Sequence, residues 1–207
     1  TFQTTQVTLK LVDHLGGTAL LSGDVPFAEY YKYPHHGTFG DGNLLNADGY
    51  IEKMELLPFP YDFTIKYKGI KKTINQNVGT NPVVTFQTKK YTLSLVDHTG
   101  GTALLTSNGY DAEYYKYPYR GTFGDGVLAA ADGYKESMDL FDFAYDFKIS
   151  YVNHSQEKNS NTDVQFMTGR VIDNDGTCYN YYKYPSNGAF TNGIQLLPNS
   201  YKFSFNN

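Results

Sequence analysis

The chain repeats itself with a period of 84 residues, and this periodicity constrains its fold more than any other feature of the sequence. The pentapeptide Tyr-Tyr-Lys-Tyr-Pro stands at residues 30–34 and returns at residues 114–118. A third copy, at residues 181–185, follows after a shorter interval, so the third repeat is truncated. Because self-similarity of this kind is typical of arrays of equivalent structural units, we predict three domains. They are repeat 1 over residues 1–81, repeat 2 over residues 82–164 and truncated repeat 3 over residues 165–207.

Each repeat has the pattern of short β-strands. Apolar side chains recur at every second position, as in Val7, Leu9 and Leu11, and this period of two is typical of half-buried strands. No segment has the apolar pattern of a helix, which excludes Rossmann, TIM-barrel and helical-bundle folds. We therefore predict an all-β protein of tandem antiparallel β-sandwich repeats, with the polar segments 75–84 and 153–164 as linkers.

The charge of the chain argues against nucleic acid as a partner. There are 17 Lys plus Arg against 21 Asp plus Glu, which gives a formal net charge of −4 and an isoelectric point near 5.7. Nucleic-acid-binding domains usually carry a basic surplus or a basic stripe. No apolar run approaches the roughly 18 residues that cross a bilayer, so no membrane span is expected. Cys178 is the only cysteine, which excludes an intrachain disulfide.

Several short motifs, taken in order, resemble a known family of repeats. Leu11-Val12-Asp13 precedes a Gly-Gly turn, Leu56-Leu57-Pro58 precedes Tyr61-Asp62-Phe63, and the third repeat closes with the similar run Leu196 to Phe203. This order resembles the transthyretin-like β-sandwich repeats, which include the carboxypeptidase regulatory-like domains and the collagen-adhesin B-type repeats of bacterial surface proteins. The resemblance implies Ig-like (transthyretin-like) sandwiches, an extracellular or cell-surface location, no cofactor and no enzymatic activity.

One feature of that family is not expected here. Its stalk repeats often carry an internal Lys-to-Asn isopeptide cross-link, with the lysine directly before the Val-Asp pair. Leu11 and Leu95 occupy that position, so we expect no cross-link.

Three groups of polar residues could be interpreted as catalytic or metal-binding sites, and each is better explained as a turn or a surface loop. Asp13-His14 recurs as Asp97-His98, but no nucleophile recurs beside the pair, and Asp before Gly-Gly is typical of a turn. The candidate metal ligands His35-His36 become Tyr119-Arg120 in repeat 2, so the repeats share no metal site there. The candidate calcium ligands Asp41 and Asp125 lie in Gly-Asp-Gly turns with too few carboxylates nearby, and Asn192 replaces them in repeat 3. We therefore predict no catalytic residue and no metal site.

The most repeated element is a set of tyrosines. In a strand, residues two apart lie on the same face, so one face of this element packs inward and the other presents phenol beside lysine. Such a surface could pack on a neighbouring repeat or stack on sugar rings, and the sequence leaves both open. The residues are Tyr30, Tyr31, Tyr33, Tyr114, Tyr115, Tyr117, Tyr181, Tyr182 and Tyr184.

These patterns predict a non-enzymatic structural protein of the stalk or filament type, stabilised by contacts between neighbouring repeats. The third repeat looks short of its last strand, and a second molecule could supply one in a head-to-tail homo-oligomer. The alternative is a carbohydrate-binding or adhesion module that uses the repeated tyrosines on a polysaccharide. Asn153, in Asn153-His154-Ser155, is a glycosylation acceptor in a secretory host. The candidate donor strand consists of Thr1, Phe2, Gln3 and Thr4.

Overall fold

The computed structural model describes residues 2–17, 27–40, 51–101, 112–124 and 134–206, and throughout these ranges the regular elements are β-strands. The all-β prediction is therefore confirmed. Nowhere in the described part of the chain is there a helix long and apolar enough to cross a membrane. The strands are β1 (Thr5–Val12), β2 (Phe27–Lys32), β3 (His35–Thr38), β4 (Ile51–Leu56), β5 (Pro60–Tyr67), β6 (Ile70–Asn77), β7 (Val83–Val96), β8 (Ala112–Lys116), β9 (Tyr119–Thr122), β10 (Tyr134–Phe141), β11 (Tyr145–Tyr151), β12 (His154–Ser160), β13 (Val164–Met167), β14 (Gly169–Arg170), β15 (Cys178–Lys183), β16 (Ser186–Ala189), β17 (Gln195–Leu196) and β18 (Lys202–Phe205).

The chain forms two compact units. Unit 1 comprises Thr1–Lys90 and Asp139–Phe143, and unit 2 comprises Tyr91–Met138 and Ala144–Asn207. Strand β7 therefore contributes its first half to unit 1 and its second half to unit 2. The predicted boundaries of the three sequence repeats stay a prediction.

Unit 1 contains an antiparallel sheet in the order β3-β2-β5-β6 and a second sheet in which β1 lies between β4 and β7. β1 pairs antiparallel with β4 but parallel with β7, where Thr8 lies beside Val83. The prediction of purely antiparallel sheets is thus wrong, because the sheet around β1 is mixed. Alternating apolar residues reveal a strand but not its direction. Here residues 78–82 connect β6 to the other sheet, which lets β7 run in the same direction as β1.

Unit 2 repeats this arrangement. Its sheet β9-β8-β11-β12 has the same order as β3-β2-β5-β6, and β13 pairs in parallel with the second half of β7. In unit 1, therefore, the sheet that contains β1 gains the parallel strand β7, and in unit 2 the second half of β7 gains the parallel strand β13. In both cases the added residues open the next sequence repeat. We call these two parallel pairings, β1–β7 and β7–β13, the strand joints.

The predicted linker 153–164 contains all of β12, and the predicted linker 75–84 contains the end of β6 and the start of β7, which corrects that expectation. β6 pairs with all of β5, from Pro60 opposite Asn77 to Tyr67 opposite Ile70, and β12 pairs with β11 in the same way. Among the described residues, β6 and β12 are each the outermost strand of their sheet, so one side of the strand can face solvent. A strand in that position can be largely polar, which is why composition alone suggested a linker.

The largest fully buried side chains of the described residues are all aromatic. In unit 1, Phe39 meets Phe63 edge-to-face with ring centroids 5.8 Å apart. In unit 2, Tyr91 of β7 meets Tyr145 of β11 at 5.5 Å, so these two strands, which belong to different sheets, pack face to face. Burying one such ring contributes about 1.5–3 kcal/mol, and edge-to-face geometry adds to this.

Candidate functional site

The first tyrosine of each repeated triplet packs inward over a glycine. Tyr30 lies opposite Gly37 in the β2–β3 pair, and a Cβ added to Gly37 would come within 2.8 Å of the Tyr30 ring. Tyr114 over Gly121 and Tyr181 over Gly188 repeat the arrangement, with corresponding distances of 2.7 and 2.5 Å. Glycine is therefore required opposite each inward tyrosine, because any larger residue would collide with the ring.

The third tyrosine of each triplet is almost fully exposed. Tyr33, Tyr117 and Tyr184 have exposed fractions of 84, 83 and 82%. Each stands directly after the strand, in the turn before proline, rather than on the strand face shared with the second tyrosine. The second tyrosines are less exposed, at 40% for both Tyr31 and Tyr182. The prediction of one inward and one outward face therefore describes the strand but not Tyr33 and its counterparts.

An open groove of about 370 Å³ lies beside the inward tyrosine of unit 1. Its floor includes Tyr30 and Tyr61, whose ring centroids are 6.0 Å apart in edge-to-face geometry. Burial raises the pKa of the Tyr61 hydroxyl above its ordinary value, and the neighbouring Tyr30 adds to this. We call it the tyrosine groove; it is lined by Thr4, Tyr30, Lys32, Tyr33, His35, Glu55, Leu56, Leu57, Phe59 and Tyr61.

The corresponding surface of repeat 3 is covered by the turn between β11 and β12. His154 from that turn lies 5.2 Å from the ring of Tyr201 and 6.2 Å from the ring of Tyr181, centroid to centroid. The backbone oxygen of Asn153 accepts a hydrogen bond of 3.4 Å from the Ser186 hydroxyl. Burial, together with the nearby Lys183 ammonium, lowers the pKa of His154. The lowered pKa favours the neutral imidazole, which packs against the rings of Tyr181 and Tyr201.

The candidate donor segment differs sharply in burial from its counterparts. Phe2 is 96% exposed, whereas Phe86 and Phe166, which occupy the same position in the next two repeats, are fully buried. Phe86 lies beside Leu11 in one strand joint, and Phe166 lies beside Leu95 in the other. Of the four donor residues, Thr1 lies outside the described residues, and residues 2–4 precede β1 without belonging to a strand.

Repeat 3 carries a second groove, of about 320 Å³, at the place where repeats 1 and 2 hold a strand joint. Its edge includes Val171, which follows β14 and corresponds in sequence to Leu11. Ile172 and Phe205 in its wall are 54 and 55% exposed. Within the described ranges, β14 pairs with β17 and no strand pairs with it in parallel. We call it the acceptor groove; it is lined by Val171, Ile172, Asp173, Asn174, Asp175, Cys178, Phe190, Phe203 and Phe205.

The repeated aspartates make the contacts of turns. The Asp13 carboxylate accepts the backbone N–H of Leu15 at 2.9 Å, and Asp97 accepts that of Thr99 at 2.8 Å. In repeat 3 the Asp173 carboxylate accepts the N–H of Cys178 at 2.7 Å, and this bond lowers the pKa of Asp173. The bonds of Asp13 and Asp97, each to the N–H two residues on, are those expected of Asx turns, and Asp173 makes the equivalent bond by accepting the N–H of Asp175 at 3.2 Å.

The histidines next to these turns and loops have separate partners. His14 Nδ1 lies 2.8 Å from an Asp139 carboxylate oxygen rather than against Asp13. His36 Nε2 lies 3.6 Å from Glu29, and His35 lines the tyrosine groove. Across the residues that the structure describes, no three His, Cys, Asp or Glu side chains gather where a metal ion could bind. Asp41 and Asp125 lie outside those residues.

Asn153, the glycosylation candidate, is exposed and has a positive φ of 59° in the β11–β12 turn. The role of that turn at repeat 3 was not predicted from the sequence. The available signal was the match between Tyr61 and Tyr201, which places equivalent rings in repeats 1 and 3, but nothing in the sequence pairs those rings with His154.

No family model and no curated protein matches the chain. Two solved structures are similar to it. One is described as the Bacillus anthracis TIE protein; it is 12% identical, the match covers 98% of this chain and 46% of that one, and the TM-score is 0.28. The other is described as a candidate polysaccharide-binding protein of Bacteroides thetaiotaomicron, with 11% identity, coverage of 82% and 92%, and a TM-score of 0.32. The chain spans less than half the length of the first structure, and neither likeness assigns a family or a function.

Proposed function

We propose that the protein is a non-enzymatic, extracellular structural protein, built of tandem Ig-like (transthyretin-like) β-sandwich repeats that form a stalk or a head-to-tail filament. The observation that carries this proposal is the contrast between exposed Phe2 and its buried counterparts Phe86 and Phe166. Because the equivalent phenylalanines are buried by strand pairing in the next two repeats, we expect an acceptor sheet to cover Phe2 in the assembled protein.

The strand joints supply the mechanism. At the first joint, β7 adds to β1 by main-chain pairing from Thr8 beside Val83 to Val12 beside Gln87, and it places Phe86 in the core. Strand addition of this kind combines backbone hydrogen bonds with one buried side chain, and that side chain contributes about 1.5–3 kcal/mol. The same step between molecules is heterologous, so it generates a filament where the rotation between successive molecules does not close into a ring.

The acceptor groove fits the donor segment by register. Phe86 pairs with Leu11, and Val171 takes the place of Leu11 in repeat 3. An incoming Phe2 beside Val171 would meet Phe190 and Phe203, which correspond to the Phe39 and Phe63 pair of the unit 1 core. The groove is therefore aromatic where the donor side chain would enter.

Sedimentation velocity of the 207-residue chain, with reductant present to exclude Cys178 disulfides, tests this proposal. We expect species larger than the monomer that grow with concentration, and we expect Phe2→Ala or Phe205→Asp to reduce them to monomer. Tyr117→Ala is the matched control, since it removes an exposed aromatic that lines neither the acceptor groove nor the tyrosine groove and is not part of the donor segment. Unchanged assembly in Phe2→Ala, or a monomeric parent chain at high concentration, would refute the mechanism.

A second function is favoured by the exposed tyrosines. Tyr33, Tyr117 and Tyr184 are exposed to nearly the same extent in all three copies, and each directly follows a lysine. Exposed rings beside polar groups are suited to stacking on sugars, which would make the array an adhesion or carbohydrate-binding module. A glycan array with the parent chain and the triple Tyr→Ala variant tests this. Saturable binding that the variant loses would support the second function.

A further inference from the structure

We infer that the tyrosine groove of unit 1 is the docking site for the β-hairpin turn of another repeat of this kind. That repeat would stand ahead of β1 and would form a strand joint with residues 2–4. This inference rests on the proposed tandem arrangement, and it adds a second contact to it. The partner is thus a copy of the protein's own repeat rather than a sugar or an unrelated protein.

In repeat 3, the groove that corresponds to the tyrosine groove is already filled by such a turn. Tyr181 and Tyr201 correspond to Tyr30 and Tyr61, and His154 packs against both rings. Beyond the rings, Lys183 corresponds to Lys32, and Ser186 corresponds to His35. Ser186 binds the carbonyl of Asn153, and Lys183 lowers the pKa of His154. Three positions that line the tyrosine groove therefore have counterparts that contact one turn, and the counterpart of a fourth interacts electrostatically with its histidine.

The hairpin turn itself is a repeated element of the chain. In unit 2 the two central residues, Val152 and Asn153, have φ values of 49° and 59°; in unit 1 their counterparts, Lys68 and Gly69, have 46° and 77°. Two central residues with positive φ are the signature of a tight hairpin turn. The residue after the turn is buried in both, as His154 and as Ile70. The docking element thus has one backbone shape and a buried side chain at a fixed place.

The tyrosine groove lies next to the donor segment. Thr4 lines the groove and stands only two residues after Phe2. A repeat that takes Phe2 into its core is therefore brought to the rim of the tyrosine groove. Where the repeat ahead is a complete one, with a turn like the one between β5 and β6, strand addition and turn docking are two contacts of one interface.

The lining of the groove suits an apolar side chain. Leu56 is buried, and Leu57 and Phe59 are 36 and 44% exposed on the wall. An isoleucine or a neutral histidine would shield these surfaces in the way that His154 shields Tyr201. A sugar could also stack on the same rings, so the experiment has to separate the two.

The test uses an extended chain in which residues 1–84 precede Thr1, so that Val84 of the added copy is followed by Thr1 as it is naturally followed by Thr85. In a Cys178→Ser background, one cysteine replaces Lys68 of the added copy and the other replaces His35 of the original. A short bismaleimide then cross-links the two thiols if the turn is docked, and mass spectrometry measures the yield.

Two controls frame the result. Val152→Cys with Ser186→Cys in the 207-residue chain samples the docked turn of repeat 3 and gives the reference yield. Moving the second cysteine from His35 to His36 is the matched negative control, because adjacent strand residues point to opposite faces. We expect the His35 pair to approach the reference yield and to exceed the His36 pair several-fold. A second extended chain, with residues 85–165 ahead of Phe2 and its added-copy cysteine at Val152, repeats the test with the other turn.

Equal and low yields for the His35 and His36 pairs in a folded extended chain, with the reference pair cross-linked, would overturn the inference. This outcome is distinguishable from failure of the proposed function, which is decided by Phe2→Ala in sedimentation without reference to the groove. If the 207-residue chain binds a polysaccharide, if Phe59→Ala abolishes that binding, and if the His35 pair cross-links only at background level, the groove is a sugar site. This result would also overturn the inference.

Discussion

His154 lies edge-on to Tyr201, with ring centroids 5.2 Å apart and ring planes at 75°. The imidazole has an exposed fraction of only 4%, and among the described residues its Nε2 atom has no hydrogen-bond partner. Burial and the nearby Lys183 lower its pKa. A neutral histidine at this place makes the contact between repeats 2 and 3 sensitive to acid.

We predict that unit 2 loses stability as the pH falls below the pKa of unfolded histidine, near 6.5. The folded state binds the His154 proton more weakly than the unfolded state, so protonation favours unfolding until the pH drops below the lowered folded pKa. Chemical denaturation from pH 8 to pH 5 measures this. His154→Ile, which installs the residue found at the equivalent Ile70, should flatten the pH dependence over this window. An unchanged slope in that variant would contradict the assignment.

Gly37→Ala should destabilise unit 1 by about 1–3 kcal/mol, because the added Cβ would come within 2.8 Å of the Tyr30 ring. Gly17→Ala is the matched control, since a Cβ there has nothing within 4 Å. Urea unfolding of both variants gives the comparison. Equal stabilities would show that the tyrosine moves aside at no cost.

Thr88 and Thr168 occupy the same position in successive repeats and should respond oppositely to valine. The Thr88 hydroxyl is buried and makes no hydrogen bond within the described part of the chain, whereas the Thr168 hydroxyl donates to Gln195 Oε1 at 2.7 Å. Thr88→Val should therefore raise the free energy of unfolding by about 1 kcal/mol, and Thr168→Val should lower it by about 1–2 kcal/mol. Thermal melts of the two variants decide the point, and a loss of stability in Thr88→Val would contradict it.

Phe86→Ala should cost about 3–5 kcal/mol, because it empties a core position, whereas Phe2→Ala in monomeric protein should stay within about 0.5 kcal/mol of the parent. Unfolding at low protein concentration, where assembly is minimal, makes this comparison. A large loss in monomeric Phe2→Ala would mean that Phe2 already packs against its own chain.

The sequence predicted the strands better than their pairing. The alternation of Val7, Leu9 and Leu11 is a local signal, and these residues are fully buried in β1. The parallel direction of β7 is set by a connection and by long-range pairing, for which a single sequence contains no period. The polarity of β12 likewise hid a strand, because an outer strand can hydrogen-bond on one side and be solvated on the other.

The candidate site could be predicted only in part. Repetition of the tyrosine triplet marked the right residues, and the glycine opposite each inward ring is visible in the spacing of Tyr30 and Gly37. The exposure of Phe2 could not be predicted, because the same four residues, Thr-Phe-Gln-Thr, are buried or exposed according to whether a preceding sheet accepts them. Such context is a property of the array rather than of the segment.

The strand joints also bear on how such a protein changes in length. Each joint links the end of one sequence period to the beginning of the next through equivalent residues, such as Leu11 beside Phe86 and Leu95 beside Phe166. Recombination that inserts or removes a whole period of 84 residues rejoins the chain at matching points of two like interfaces. A gene of this design can therefore vary the number of repeats in its product without evolving a new contact between them.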